Sequence, residues 1–135
     1  VERIPHGTRI AVVGHSLGGV VARWYVQEMG GHARVSHTVS LGSPFGGLGK
    51  VPQWLVGADL HEQSVLLGRL RQGASACRVP HTSIVAADDA VAVGVERACL
   101  GAGKVFVVAG RGHNSLLFDQ DVASIVIRVL ERSTQ

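Results

Sequence analysis

Short β-branched runs alternate with longer stretches of helical periodicity along the chain. Arg9 to Val13 reads as a short buried strand. Leu17 to Met29 follows with helical periodicity, and Gly30-Gly31 supplies the stop. Val35 to Leu41 predicts a second strand, ended by the turn Gly42-Ser43-Pro44. Phe45 to Gly57 reads as loop, and Asp59 to Leu70 as a helix with Leu60, Val65, Leu66 and Leu70 on its apolar side. His81 to Ala86 predicts a third strand, Ala90 to Leu100 a short helix, and Lys104 to Val108 a fourth strand. Ser115 to Leu130 closes the chain as a helix, with Leu116, Val122, Ile125, Val126 and Val129 spaced by threes and fours.

Strands that alternate with helices imply a parallel sheet with right-handed crossovers, an α/β class fold. In such sheets chemistry gathers at the carboxyl ends of the strands. Residues following Val13, Leu41, Ala86 and Val108 therefore carry the functional interest.

Composition narrows the picture. The 135 residues make one domain, 1–135, with neither repeat nor linker. Hydrophobic residues are 46% and charged ones 17%, the reverse of a disordered chain. No apolar run approaches the roughly 18 residues of a membrane span. Aromatics are 4%, too few for stacking on single-stranded nucleic acid. The net charge of +3 comes from 11 Arg and 2 Lys without a run, which reads as a solvated basic surface and not a nucleic-acid site. Cys77 and Cys99 lie 22 residues apart, which is no zinc pattern; they either pair or remain two small thiols. No metal or cofactor is expected.

After the first strand comes Gly14-His15-Ser16-Leu17-Gly18-Gly19, a G-x-S-x-G between strand and helix. A nucleophile on so sharp a turn has a strained backbone, and its neighbours two residues away must nearly lack side chains. The turn lifts the Ser16 hydroxyl clear of the sheet and points the helix N-terminus at it. The backbone N–H of Leu17 then faces a developing oxyanion.

A serine at its free pKa needs a base. Of seven histidines, His6, His32, His37 and His61 fall in loops or element starts and read as surface residues. His15 adjoins Ser16, but in a tight turn its side chain is expected to point elsewhere. His81 opens the third strand, at the edge away from the chemistry. His113, in Gly110-Arg111-Gly112-His113-Asn114, follows the fourth strand at the active edge. The base needs an orienting acid, and Asp88-Asp89 follows the third strand at that same edge. Glu28, Glu62, Glu96, Asp119, Asp121 and Glu131 read as solvated helix faces, and Asp59 is remote. The chain order Ser16, Asp88 or Asp89, His113 is the order that accompanies a nucleophile elbow.

Val12-Val13-Gly14-His15-Ser16-Leu17-Gly18-Gly19-Val20-Val21-Ala22-Arg23 resembles the elbow of bacterial lipases and esterases of the α/β-hydrolase superfamily. Leu41-Gly42-Ser43-Pro44-Phe45-Gly46-Gly47 is similar to their LGTPHxG segment, with Ser43 and Phe45 in place of Thr and His. Thr82 to Val91 resembles their acid loop, TSIxxxxDxxV, which puts the acid on Asp89. Gly112 to Leu117 is similar to their GHxxLL histidine loop. The resemblance implies a three-layer α/β-hydrolase fold of which these are the last four strands. It implies a C-terminal portion of a lipase, with the HG loop that gives the second oxyanion donor upstream of Val1. One sheet edge is then expected to be bare, with one face covered mainly by the final helix. The Arg-rich composition with Asn114 as the single Asn fits a GC-rich source such as an actinobacterium.

The reading that results is a serine hydrolase of carboxylic, lipid-type esters, with catalytic Ser16, Asp89 and His113 and the Leu17 N–H in the oxyanion hole. Its partner is a small ester or lipid, and a secreted or cell-envelope location is expected, with the cytoplasm as the alternative. Two enzymatic variants share the triad, acyl transfer and thioester or amide hydrolysis. A different class is an inactive fragment or non-catalytic relative that keeps the fold. A phosphate-binding loop at Gly47-Leu48-Gly49-Lys50 or Gly101-Ala102-Gly103-Lys104 fails, because Pro44 and Ala98 stand where Gly is required, and Val51 and Val105 where Ser or Thr is. Trp54-Leu55-Val56 is a candidate acyl-pocket lining or a structural turn.

Overall fold

The computed structural model describes residues 4–48 and 58–133. The Trp54–Val56 segment lies outside the described residues. Four strands, β1 (Ile10–His15), β2 (Val35–Leu41), β3 (His81–Ala86) and β4 (Lys104–Val108), form one sheet in the order β1-β2-β3-β4. Every neighbouring pair is parallel. All four carboxyl ends therefore point to one edge, where the next residues are Ser16, Gly42, Ala87 and Ala109.

Among the described residues four α-helices accompany the sheet: α1 (Leu17–Glu28), α2 (Val65–Gly73), α3 (Val95–Ala98) and α4 (Gln120–Ser133). Alternation along the strands sorts the two faces. Val39, Leu41, Ile84 and Ala86 point to α4 and meet Val122, Ile125, Val126 and Val129. On the opposite face Val20 of α1 joins Phe45, Leu67, Leu70 and Leu100, and Val85 meets Ala92 and Ala98 around α3. Each fully buried aliphatic or Phe side chain contributes about 1.5–3 kcal/mol, so these two cores hold the three layers together. β1 and β4 are the edge strands. Ala11 and Val13 of β1 and Val105, Phe106 and Val107 of β4 are exposed.

Three of the expected helices differ. The helix over 59–70 splits into a 3-10 turn, Ala58–Leu60, and α2. Ser64 is the reason, since its hydroxyl accepts from the Leu67 N–H and starts a new helix. The helix over 90–100 shrinks to α3, because the Asp89 carboxylate draws the Val91 and Ala92 N–H groups into a turn. Gly94, at φ +89°, then precedes α3. The helix over 115–130 divides into a 3-10 turn, Asn114–Leu117, and α4. Asp119 caps α4 by accepting from the N–H groups of Asp121 and Val122. Asp119 is thus a cap and not a solvated helix face. After α1, Gly30 takes φ +75° and ends the helix as expected.

A buried polar network crosses from α1 to β3. Arg23, 1% exposed, donates to Gln27, to Thr38 Oγ1 and to the Val79 carbonyl. The His81 ring contacts Thr38 Oγ1 through Nδ1 at 2.8 Å and Ser40 and Ser83 through Nε2, each at 3.1 Å. His37, expected at the surface, is buried in β2 and contacts Thr82 Oγ1. Its place in a strand with helices over both faces overrides its polarity.

Candidate active site

Ser16 sits between β1 and α1 at φ 52°, ψ −125°. It is the one non-glycine residue at positive φ among the described residues. Such a conformation costs an L-residue about 1–2 kcal/mol and persists because both sides hold it. The Ser16 N–H donates to the Leu41 carbonyl at 2.9 Å, and the Ser16 carbonyl accepts from Gly19 at 3.1 Å. The glycines have separate reasons. A Cβ on Gly14 would come within 2.5 Å of the Gly18 and Gly19 backbone. A Cβ on Gly19 would run into Ser43 and Ser40, so Gly19 lets α1 dock on β2. A Cβ on Gly18 would meet open space, so packing at Gly18 itself does not demand a glycine. Leu17 opens α1, which makes its N–H one of the first-turn groups without an intrahelical acceptor.

His113 follows β4 through Gly110-Arg111-Gly112. Its Nε2 lies 2.9 Å from Ser16 Oγ and its Nδ1 lies 2.8 Å from Asp89 Oδ2 and 3.0 Å from Oδ1. A carboxylate only accepts, so Nδ1 carries the proton, and in the neutral ring Nε2 is left to accept from the Ser16 hydroxyl. The side chains of His113 and Asp89 are 11% and 0% exposed. Asp89 Oδ1 also accepts from the Val91 and Ala92 N–H groups at 2.8 and 2.9 Å, which fixes the carboxylate before it meets the imidazole. Asp88, one residue earlier, is exposed. The arrangement can move a proton from a hydroxyl to an imidazole and keep the resulting imidazolium beside a fixed negative charge.

Two supports escape a reading of the sequence. His15 turns to the His113 loop: its Nε2 lies 3.1 Å from the His113 carbonyl, and the two rings are 4.8 Å apart. The His113 loop folds back over the elbow and meets it. Gly42, at φ +56°, lies under the Asp89–His113 contact. A Cβ there would stand 2.9 Å from Asp89 Oδ2 and 3.2 Å from His113 Nδ1. Its position directly after β2, at the active edge, was the available signal. Arg111 pairs with Asp119, the α4 cap, and so ties the stretch before His113 to the helix after it. That contact raises the Arg111 pKa and lowers that of Asp119.

The other candidates lie apart. His6 and His32 are exposed. His81 stands at the amino end of β3 in the buried network. Cys77 and Cys99 are free thiols, and burial raises the Cys99 pKa. Among the described residues no group of three or more His, Cys, Asp or Glu could hold a metal ion, and no helix is long and apolar enough to cross a membrane.

Solved structures share this architecture. A monoacylglycerol lipase from Paleococcus ferrophilus superposes with a TM-score of 0.68 at 14% identity, over 94% of this chain and 68% of that one. MGS-MChE2, an α/β hydrolase from the sediment metagenome of the Mar Chica lagoon, Morocco, gives 0.65 at 13% identity, over 94% and 63%. CarC, a serine hydrolase involved in carbazole degradation, gives 0.63 at 15%, over 96% and 66%. The chain thus spans about two thirds of each of these proteins and has the α/β-hydrolase fold. No curated protein matches it in sequence. The model of the palmitoyl protein thioesterase family matches residues 2–92, which is 91 of the 135 residues and includes Ser16 and Asp89. By that match the chain belongs to the palmitoyl protein thioesterase family.

Proposed function

We propose that this chain carries the triad of a serine hydrolase that cleaves carboxylic acyl esters, with lipid esters as the substrate class. The observation that carries the reading is the continuous contact Ser16–His113–Asp89, at 2.9 and 2.8 Å. Ser16 Oγ attacks the acyl carbonyl while His113 Nε2 takes its proton. Asp89 holds the proton on Nδ1 and stabilises the imidazolium. The Leu17 N–H donates to the oxyanion at the mouth of α1. The second donor of such a hole lies, in this reading, outside the described residues. The tetrahedral intermediate collapses, the bond to the leaving oxygen breaks, and His113 returns its proton to that oxygen. Water, activated by His113, then hydrolyses the acyl-serine and frees the carboxylic acid.

Membership of the palmitoyl protein thioesterase family supports a second reading, in which the scissile bond is an acyl thioester. The triad serves both, because the acyl-serine is common to them and a thiolate is the better leaving group. The test is a fluorophosphonate probe, expected to label Ser16, followed by rates on matched oxygen esters and thioesters of one acyl chain. Ser16→Ala, His113→Ala and the double variant should all fall to similar residual rates, since the residues act as a unit. Retention of most of the activity in Ser16→Ala would overturn the mechanism. The ratio of thioester to ester rates decides between the two substrates.

A further inference from the structure

The amino ends of the strands hold a second feature, at the opposite edge from the triad. β3 runs from His81 to Ala86, which places the two edges roughly 17 Å apart. α4 returns along one face of the sheet towards this end. Near the triad the positions under α4 are apolar, Leu41, Ala86 and Val108. At the far end the register pairs Thr82 with Lys104 and Ile84 with Phe106, which sets Lys104 and Phe106 on that same face. His37 stands beside Thr82 there. His37, Thr82 and Lys104 thus stand under the last turns of α4 where aliphatic residues stand nearer the triad, and the two layers do not close.

The result is a cavity of about 660 Å³ between α4 and the starts of β2, β3 and β4. That size falls within the range of small-molecule sites, roughly 300–1,000 Å³. Its lining combines two chemistries. Phe106, Ile125 and Val129 supply apolar wall. Lys104, Arg128 and Arg132 supply cationic groups, and no Asp or Glu lines it among the described residues. Arg128 and Arg132 are one helical turn apart, so both follow the same side of α4. His37 and Thr82, both buried, form polar floor.

We infer that this cavity binds an amphiphile with an anionic head and an alkyl chain, the head held by Lys104, Arg128 and Arg132 and the chain lying against Phe106, Ile125 and Val129. An anionic head adds charge pairing with three exposed cations on one rim, and an alkyl chain covers the apolar wall, so the combined molecule is the complement. The head is a carboxylate or a phosphate monoester. The inference does not depend on the triad, because the cavity and the triad lie at opposite ends of the strands.

Binding is measured on the Ser16→Ala protein, so that a failure of the catalytic reading leaves the result intact. Calorimetric titrations use decanoate, decyl phosphate, decanol and acetate. Decanoate or decyl phosphate should bind at least tenfold more tightly than decanol or acetate, and the comparison between the first two names the head group. The double variant Arg128→Gln/Arg132→Gln alters two exposed side chains, and it should weaken binding at least tenfold with its melting temperature unchanged. Phe106→Ala should weaken binding of the chain-bearing anions and leave acetate unchanged. A diazirine-bearing decanoate should crosslink to peptides of α4 or β4. Equal affinity for decanol, an unaffected Arg128→Gln/Arg132→Gln variant, or crosslinks confined to the Ser16 edge would each overturn the inference.

Discussion

His15 and His113, 98 residues apart in sequence, meet through a ring nitrogen and a carbonyl: His15 Nε2 lies 3.1 Å from the His113 backbone oxygen. The carbonyl only accepts, so His15 Nε2 carries the proton and donates. His15 thereby ties down the loop that brings the His113 ring to the next residue, Ser16.

This makes His15 a positioning residue. His15→Ala removes one partly buried hydrogen bond, worth about 0.5–1.5 kcal/mol, so kcat should fall roughly twofold to tenfold while KM changes little. His15→Gln keeps a donor and should restore part of the loss. Steady-state kinetics of both variants on a short p-nitrophenyl ester check this. An equal loss in both would mean that the ring fills space and does not hold the loop.

Gly42 offers a sharper test because strain and clash can be separated. Gly42→Ala puts a Cβ against the Asp89–His113 contact and also strains a residue at φ +56°. Gly30→Ala places a Cβ at φ +75° with nothing within 4 Å, so it carries strain alone. Both variants should lose about 1–2 kcal/mol of stability. Only Gly42→Ala should also lower kcat, by roughly tenfold to a hundredfold, the worth of a charge-assisted hydrogen bond of about 1.5–3 kcal/mol. Urea denaturation read beside kcat separates the two effects.

The four strands were legible because each is a compact β-branched run with a turn behind it. The meeting of Ser16, Asp89 and His113 at one edge then followed from parallel topology, since all three follow strand carboxyl ends. The helices were less legible. Ser64, Asp89 and Asp119 each redirect backbone N–H groups with a side-chain oxygen, which apolar periodicity does not register. The contact that His15 makes was not legible, because its partner, His113, arrives from the far end of the chain. The burial of His37 and His81 escaped notice because their partners, Thr82, Thr38, Ser40 and Ser83, lie on neighbouring strands and become adjacent only once register is set.

The adjacent acids give a third prediction. Asp89 is buried and contacts His113 Nδ1, while Asp88 is exposed. Asp89→Asn replaces an acceptor that fixes the imidazole tautomer, and kcat should drop by roughly 10³–10⁴ with the fold intact. Asp88→Asn should stay within about twofold, as surface changes do. Circular dichroism establishes folding and initial rates establish activity. The reverse ranking would move the acid to the neighbouring residue.

The last prediction concerns pH and stability, and it rests on His81. Burial first, then the charge of Arg23 and the neighbouring His37, depress its pKa from 6.5 to about 3. Between those values the unfolded chain binds a proton at this position that the folded chain refuses. Stability then rises with pH wherever the unfolded state holds more protons, so the folded state weakens as pH falls from about 6.5 towards 3. Each pH unit in that window is worth about 1.4 kcal/mol, and lowering the pH from 6.5 to 4.5 should therefore cost roughly 2–3 kcal/mol at this site. Burial and the charges of Lys104 and Arg23 lower the pKa of His37 as well, so it adds in the same direction. His81→Gln keeps a polar group among Thr38, Ser40 and Ser83 and removes the titration. Its unfolding free energy, measured in urea at pH 7.5, 6.5, 5.5 and 4.5, should lose less on acidification than that of the parent protein. The readout is the slope against pH, which a change in packing alone would leave in place. Parallel slopes in the two proteins would show that the buried imidazole is not the group that makes the fold acid-sensitive.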